Sequence, residues 1–191
     1  MAPACGICNS VTAQLCKQCR SIGYCSTKCQ KIDWPSHKLL CSQYSHDNER
    51  PSPLYRRAIL FQDGNQQPKF IWIECKETVG GSYKWEEPQN VDDYMGPERT
   101  LVERTSFDHN KVRGRPLRNS IEIHNRNAFS LDGSIPNQSI IAATQGAVPH
   151  EWCGPVVVLR KNGHCTTYAG SFGDMGMEDY LHVVDHFRTY C

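Results

Sequence analysis

Residues 5–41 read CGICNSVTAQLCKQCRSIGYCSTKCQKIDWPSHKLLC, and this stretch decides the architecture. It contains seven of the chain's 11 cysteines, spaced C-x2-C-x7-C-x2-C-x5-C-x3-C-x7-H-x3-C and ending on His37 and Cys41. Two C-x2-C knuckles, one C-x3-C and one H-x3-C supply eight soft ligands, enough for two tetrahedral zinc sites. A knuckle aims two thiolates at one point. His37 and Cys41 do the same from a helix, where i and i+4 share a face. Pro35 fits the first turn of that helix, and Trp34 before it can staple the turn. So short a segment cannot bury enough apolar surface to fold alone, so the metals serve as its core. They are structural, with no open coordination position for chemistry. Spacing alone does not choose between sequential and interleaved sites.

Working outward, the chain has 191 residues, room for a small module and a modest second domain. Lys+Arg 21 against Asp+Glu 20 excludes a wholesale polybasic nucleic-acid binder. The longest aliphatic runs, Val156–Leu159 and Ile140–Ala143, fall far short of the ~20 residues of a membrane span. The start, Met-Ala-Pro-Ala-Cys, has no apolar leader core. The expectation is a soluble intracellular protein, cytoplasmic or nuclear, with no membrane partner. In a reducing compartment metal explains the cysteines better than disulfides. Residues 1–41 carry five Lys and Arg against Asp33. Two zinc ions and seven thiolates bring that excess down to near +1, so these cations partly balance the metal sites.

Together with Gly-Tyr-Cys-Ser-Thr-Lys-Cys-Gln at 23–30 and Asp-Trp-Pro-Ser-His-Lys at 33–38, the first 41 residues resemble the MYND zinc finger. The resemblance implies interleaving: Cys5, Cys8, Cys25 and Cys29 around one zinc, and Cys16, Cys19, His37 and Cys41 around the other. It also implies a protein-interaction module that receives proline-containing peptides.

Residues 42–53 are polar and proline-terminated and read as a linker, leaving 54–191 as a second domain. Beyond the finger, residues 42–191 carry 16 basic and 19 acidic groups. Strands are expected at 57–62 and 69–75, followed by a long Gly- and Glu-containing loop, then at 99–104 and 119–125. A helix opens near Ser134-Ile-Pro136 and stops at Gly146. Gly154–Gly163 is a buried strand ending in an Asn-Gly turn, with Cys165–Tyr168 as its hairpin partner. Tyr180, Leu181, Val184, Phe187 and Arg188 define one stripe of a C-terminal helix. The fold class is therefore a small zinc-stabilised finger plus an α+β domain with a mainly antiparallel sheet and a C-terminal helix.

Several polar groupings of the second domain have chemical potential. Glu178, His182, Asp185 and His186 share one side of the last helix, where the simpler reading is a solvated face. Glu122 and His124 share one face of a strand; if that face lines a pocket they are the catalytic candidates, and if it faces water they are a half-exposed strand. Lys111, Arg113, Arg115 and Arg118, with Arg99 and Arg104 nearby, would suit a phosphate backbone, or simply form a solvated loop. His150, Cys153, His164 and Cys165 lack a paired knuckle and read as ordinary residues.

The phrases Gly-Pro-Val-Val-Val-Leu-Arg at 154–160 and Asp-Tyr-Leu-His-Val-Val-Asp-His-Phe-Arg-Thr-Tyr at 179–190 resemble the tail of small fungal proteins bearing an N-terminal MYND finger. That group is similar in part to the fungal arginine-containing cyclodipeptide synthases, which draw activated arginine from its transfer RNA. Two functions follow as expectations. One is a zinc-binding docking module for a protein partner. The other is a tRNA-dependent synthase joining arginine to a second amino acid, with Glu122 and His124 as its acid–base pair.

Overall fold

The computed structural model describes residues 3–46, 49–96, 102–127, 131–163 and 170–190. The finger begins with a two-residue hairpin, β1 (Gln14–Leu15) against β2 (Gly23–Tyr24), and continues into helix α1 (Thr27–Ser45). Ser26 starts α1, its hydroxyl accepting from the Cys29 N–H at 3.3 Å. Pro35 therefore lies inside the helix, not in its first turn as the sequence suggested. The cap nine residues upstream sets the start, and the break in bonding that proline makes falls opposite the exposed Lys31. The helix also runs four residues past Cys41, into the stretch read as linker.

The second part is a sheet whose strands pair antiparallel throughout. It comprises β3 (Tyr55–Phe61), β4 (Lys69–Gly80), β5 (Tyr83–Pro88), β6 (Val102–Asn110), β7 (Arg115–Arg126), β8 (Val156–Lys161) and β9 (Phe172–Gly173). The order is β5-β4-β3-β8-β7-β6, with β9 added on β8. The expected loop after residue 75 is in fact a β4–β5 hairpin turning at Gly81, whose φ of +62° suits glycine. Its charged residues stabilise it across the strands, Lys84 reaching Glu77 at 3.0 Å, so low hydrophobicity there marks exposure and not irregularity. The strand expected at 99–104 begins at Val102, and residues 97–101 lie outside the described residues. So does the expected hairpin partner Cys165–Tyr168; the described neighbour of β8 on that side is β9.

Helices α2 (Gln138–Thr144) and α3 (Met177–Phe187) cover one sheet face. Asn137 caps α2 through Ile140 N at 2.9 Å, and Gln145 and Gly146 close it with positive φ. One core joins this face to the finger: Ile22, Leu40, Ile59, Phe61, Ile123, Val158, Tyr180 and Phe187 belong to the same buried cluster. The opposite sheet face has its own cluster, including Leu60, Ile73, Met95, Leu159 and Phe172.

The stripe on α3 packs as its spacing predicts. The second side of α3, expected to be solvated, is exposed at Glu178 and half-buried at His186 but buried between them, with His182 6% and Asp185 1% exposed. Periodicity identifies an apolar stripe but not a polar layer laid over the other side. Here that layer is the β6–β7 turn and the finger.

Candidate zinc centres and the polar clamp

Two four-residue clusters place their ligand atoms within 4.8 Å of one another: Cys5, Cys8, Cys25, Cys29 and Cys16, Cys19, His37, Cys41. In the first, Cys8 and Cys25 sulfurs are 3.4 Å apart, Cys25 and Cys29 3.6 Å, Cys29 and Cys8 3.9 Å. In the second, His37 Nε2 lies 3.5 Å from Cys16 Sγ and 3.8 Å from Cys19 Sγ, and Cys16 and Cys41 sulfurs are 3.9 Å apart. A tetrahedron with Zn–S arms of about 2.3 Å has edges of about 3.8 Å, so both donor sets fit a zinc ion. The pairs alternate along the chain, which is the interleaved arrangement.

The surroundings of His37 fit the same role. Its Nδ1 is 3.1 Å from the Tyr24 hydroxyl and 3.6 Å from Asp33 Oδ2, and Tyr24 itself donates to Asp33 at 2.5 Å. This holds Nε2 toward the sulfurs. Burial lowers His37 to about 4, keeping the imidazole in its neutral, ligating form. Burial also raises Asp33 to about 6 against the Tyr24 hydrogen bond. Tyr24 and Asp33 were not singled out in the sequence; the signal was Asp33 lying four residues before His37 on one helix.

Residues 5–41 match the family model described as MYND finger. This stretch is a MYND finger. It is a zinc-binding, protein-interaction module with two structural zinc ions. The SET domain and MYND-type zinc finger protein 6 of Schizosaccharomyces pombe is 58% identical over 31 residues, 16% of this chain and 6% of that protein. Ubiquitin carboxyl-terminal hydrolase 19 of Arabidopsis thaliana is 40% identical over 59 residues, 30% of this chain and 8% of that one. Tudor domain-containing protein 1 of Mus musculus is 36% identical over 182 residues, covering 84% of this chain and 15% of its own length. The chain thus spans less than a fifth of the curated relatives it matches. No solved structure matches.

The MYND finger is tied to the body by polar contacts. Arg113 Nη1 donates to Ile7 O at 3.1 Å, and Arg115 donates to Gly6 O at 2.8 Å and Asn9 Oδ1 at 3.1 Å. Ser21 Oγ accepts from Met177 N at 3.0 Å, capping α3 from another part of the chain. Ser36 Oγ donates to Ala143 O at 2.6 Å. Of the four cations expected to face RNA, Arg113 and Arg115 thus donate inward, while Lys111 and Arg118 are exposed. Arg99 lies outside the described residues, as do His164 and Cys165; among the described residues His150 and Cys153 join no metal-ligating cluster.

Behind this clamp lies a buried network. Asn110 Nδ2 donates to His182 Nδ1 at 2.8 Å and to Asp185 Oδ2 at 2.9 Å, and Arg113 Nε lies 2.6 Å from Asp185 Oδ2. Burial lowers both His182 and His186 to about 4, Arg115 and Arg113 adding to the effect at His182 and Lys111 at His186. Both are neutral when folded and charge in the unfolded chain below 6.5, so stability present above pH 6.5 is lost as pH falls toward 4. Each histidine is expected to contribute a loss of about 2 kcal/mol between pH 7 and 5. Urea midpoints of wild type and His182→Gln at the two pH values check this: the variant should lose less on acidification, and equal losses would refute the assignment.

Glu122 and His124, the acid–base candidates, are brought together. His124 Nε2 is 2.7 Å from Glu122 Oε1, with exposures of 0% and 8%. The strand is not half-exposed at this point, because the sheet's second face carries its own core.

Proposed function

We propose that the finger docks an extended, proline-containing segment of a partner protein, the body serving as its rigid mount. Support comes from a groove of about 540 Å³ between the hairpin and α1, whose lining includes Gln14, Leu15, Tyr24, Gln30 and Trp34. Trp34 and Leu15 are 45% and 42% exposed, large apolar groups open on the groove side, although the Trp34 ring also lies 6.0 Å from that of His37. Among the described residues strand β1 pairs with β2 alone, so its outer edge offers main-chain groups to an added strand. In this reading residues 1–41 are the finger, 42–53 connect and 54–191 are the body, with an activity not assigned.

Fluorescence polarisation with labelled proline-containing peptides tests the proposal. Trp34→Ala is expected to weaken binding by about tenfold or more while zinc content stays at two per chain. Equal affinity of variant and wild type, or no binding of such peptides by the zinc-loaded chain, would refute it. The tRNA-dependent synthase reading gains less, because the guanidinium donors of Arg113 and Arg115 are spent on finger oxygens.

A further inference from the structure

The two strands that end the sheet order, β5 and β6, line the same cavity, so the sheet is curled. The cavity measures about 100 Å³ and is walled by Trp85 and Glu87 from β5, Arg104 from β6, Glu122 from β7, and Lys161 from β8. With ~30 Å³ per water molecule in the liquid it has room for about three waters, and because covalently bonded atoms pack closer than waters it takes a solute of roughly four to six heavy atoms.

Its charges are unevenly spent. Glu86, also on the wall, is consumed: one oxygen takes Arg56 Nη2 and the other Phe172 N, each at 2.6 Å. Glu122 uses only Oε1, on His124, and no described residue bonds Oε2. The Glu87 carboxylate receives, among the described residues, one long contact, from Thr78 at 3.5 Å. Among the described residues neither Arg104 nor the Lys161 side chain has a hydrogen-bond or ion-pair partner. Behind Glu122, His124 Nδ1 is buried without a partner as well. Trp85 is fixed as a wall by packing over Gly80, where an added Cβ would meet the ring at 2.8 Å.

From this pattern we infer that the cavity binds a small zwitterion, an α- or β-amino acid, its ammonium held by Glu122 and Glu87 and its carboxylate by Lys161 and Arg104. A simple anion would face Glu122 and Glu87, a simple cation would face Lys161 and Arg104, and an apolar solute would leave all four unpaired. The carboxylate is ready for the role. Burial pushes Glu122 upward, but the His124 bond and the charges of His124, Lys161 and Arg104 outweigh it and hold the group ionised. His124 positions this carboxylate; Glu122, not the imidazole, meets the ligand.

The test is amide chemical-shift titration of the zinc-loaded full chain with glycine, β-alanine, acetate and methylammonium in turn. Glycine or β-alanine is expected to shift residues 104, 122 and 161, with acetate and methylammonium about tenfold weaker or worse. Glu122→Gln and Lys161→Met should each weaken the amino acid by about tenfold, and Lys28→Ala, an exposed change on the finger, should leave that affinity unchanged. Lys161→Met changes a side chain at the cavity rim, so it remains informative if Glu122→Gln folds poorly. Acetate binding as well as glycine and ignoring Glu122→Gln would make this an anion pocket and overturn the proposal. Methylammonium matching glycine and ignoring Lys161→Met would overturn it equally, as would the absence of shifts with either amino acid at millimolar concentration.

Discussion

Stripping the zinc ions with a chelator is expected to unfold the finger and to loosen α3 and the β6–β7 turn with it. Structural zinc contributes apparent binding energies of about 10–16 kcal/mol in finger peptides, more than a domain of this size has to spare. The damage should spread because the finger supplies parts of the body. Ser21 caps Met177, Gly6 and Ile7 receive the two arginines, and Ser36 bonds both Ala143 and Arg188. Hydrogen exchange should show amides of 5–45 and 177–188 losing protection together on chelation, while the β3–β4 core keeps most of its own. Cys16→Ser should reproduce the pattern. Protection of 177–188 that survives full zinc removal would show that the two parts do not depend on one another.

The second large effect is expected from Asp185. It is 1% exposed and accepts from Asn110 and Arg113, with Arg188 Nη1 a further 3.5 Å away. Asp185→Ala leaves the buried Arg113 guanidinium without its carboxylate and the Asn110 amide with His182 alone, a loss of about 3–5 kcal/mol. For a chain of this length the melting temperature should drop by roughly 6–20 °C. Replacing both partners, Arg113→Met with Asp185→Leu, should recover much of that, since an apolar pair leaves no unpaired charge. The recovery should be incomplete because Arg113 also holds Ile7. A calorimetric drop under ~1 kcal/mol for Asp185→Ala would mean the network is solvated and this account of α3 is wrong.

The eight ligand positions could be read from the chain because thiolates and imidazole at knuckle and helix spacings leave few alternatives to metal. The inner stripe of α3 was equally legible, as were β3, β7 and β8, whose apolar residues alternate or run together. What escaped was everything set by a second neighbour. His182 and Asp185 look like a wet helix face until Asn110 and Arg113 are laid on them. Arg113 and Arg115 look like a basic patch until the oxygens of Gly6, Ile7 and Asn9 are brought within reach. Glu77 and Lys84 read as loop residues because an exposed hairpin carries its pairing in charges. Glu122 and His124 were visible as a pair on one face. Whether that face was wet or dry depended on the curl of the sheet, which no local pattern encodes.

The cap that Ser21 places on Met177 has a consequence for how the chain is made. Synthesis delivers the finger's last ligand, Cys41, about 140 residues before α3, roughly 7–30 s at ordinary elongation rates. Through that interval the finger can already hold its metal, yet the surface around Ile22 and Leu40 that α3 and the sheet later cover faces water. The loaded finger is thus a template waiting on the ribosome, and the final helix folds onto a surface formed long before it.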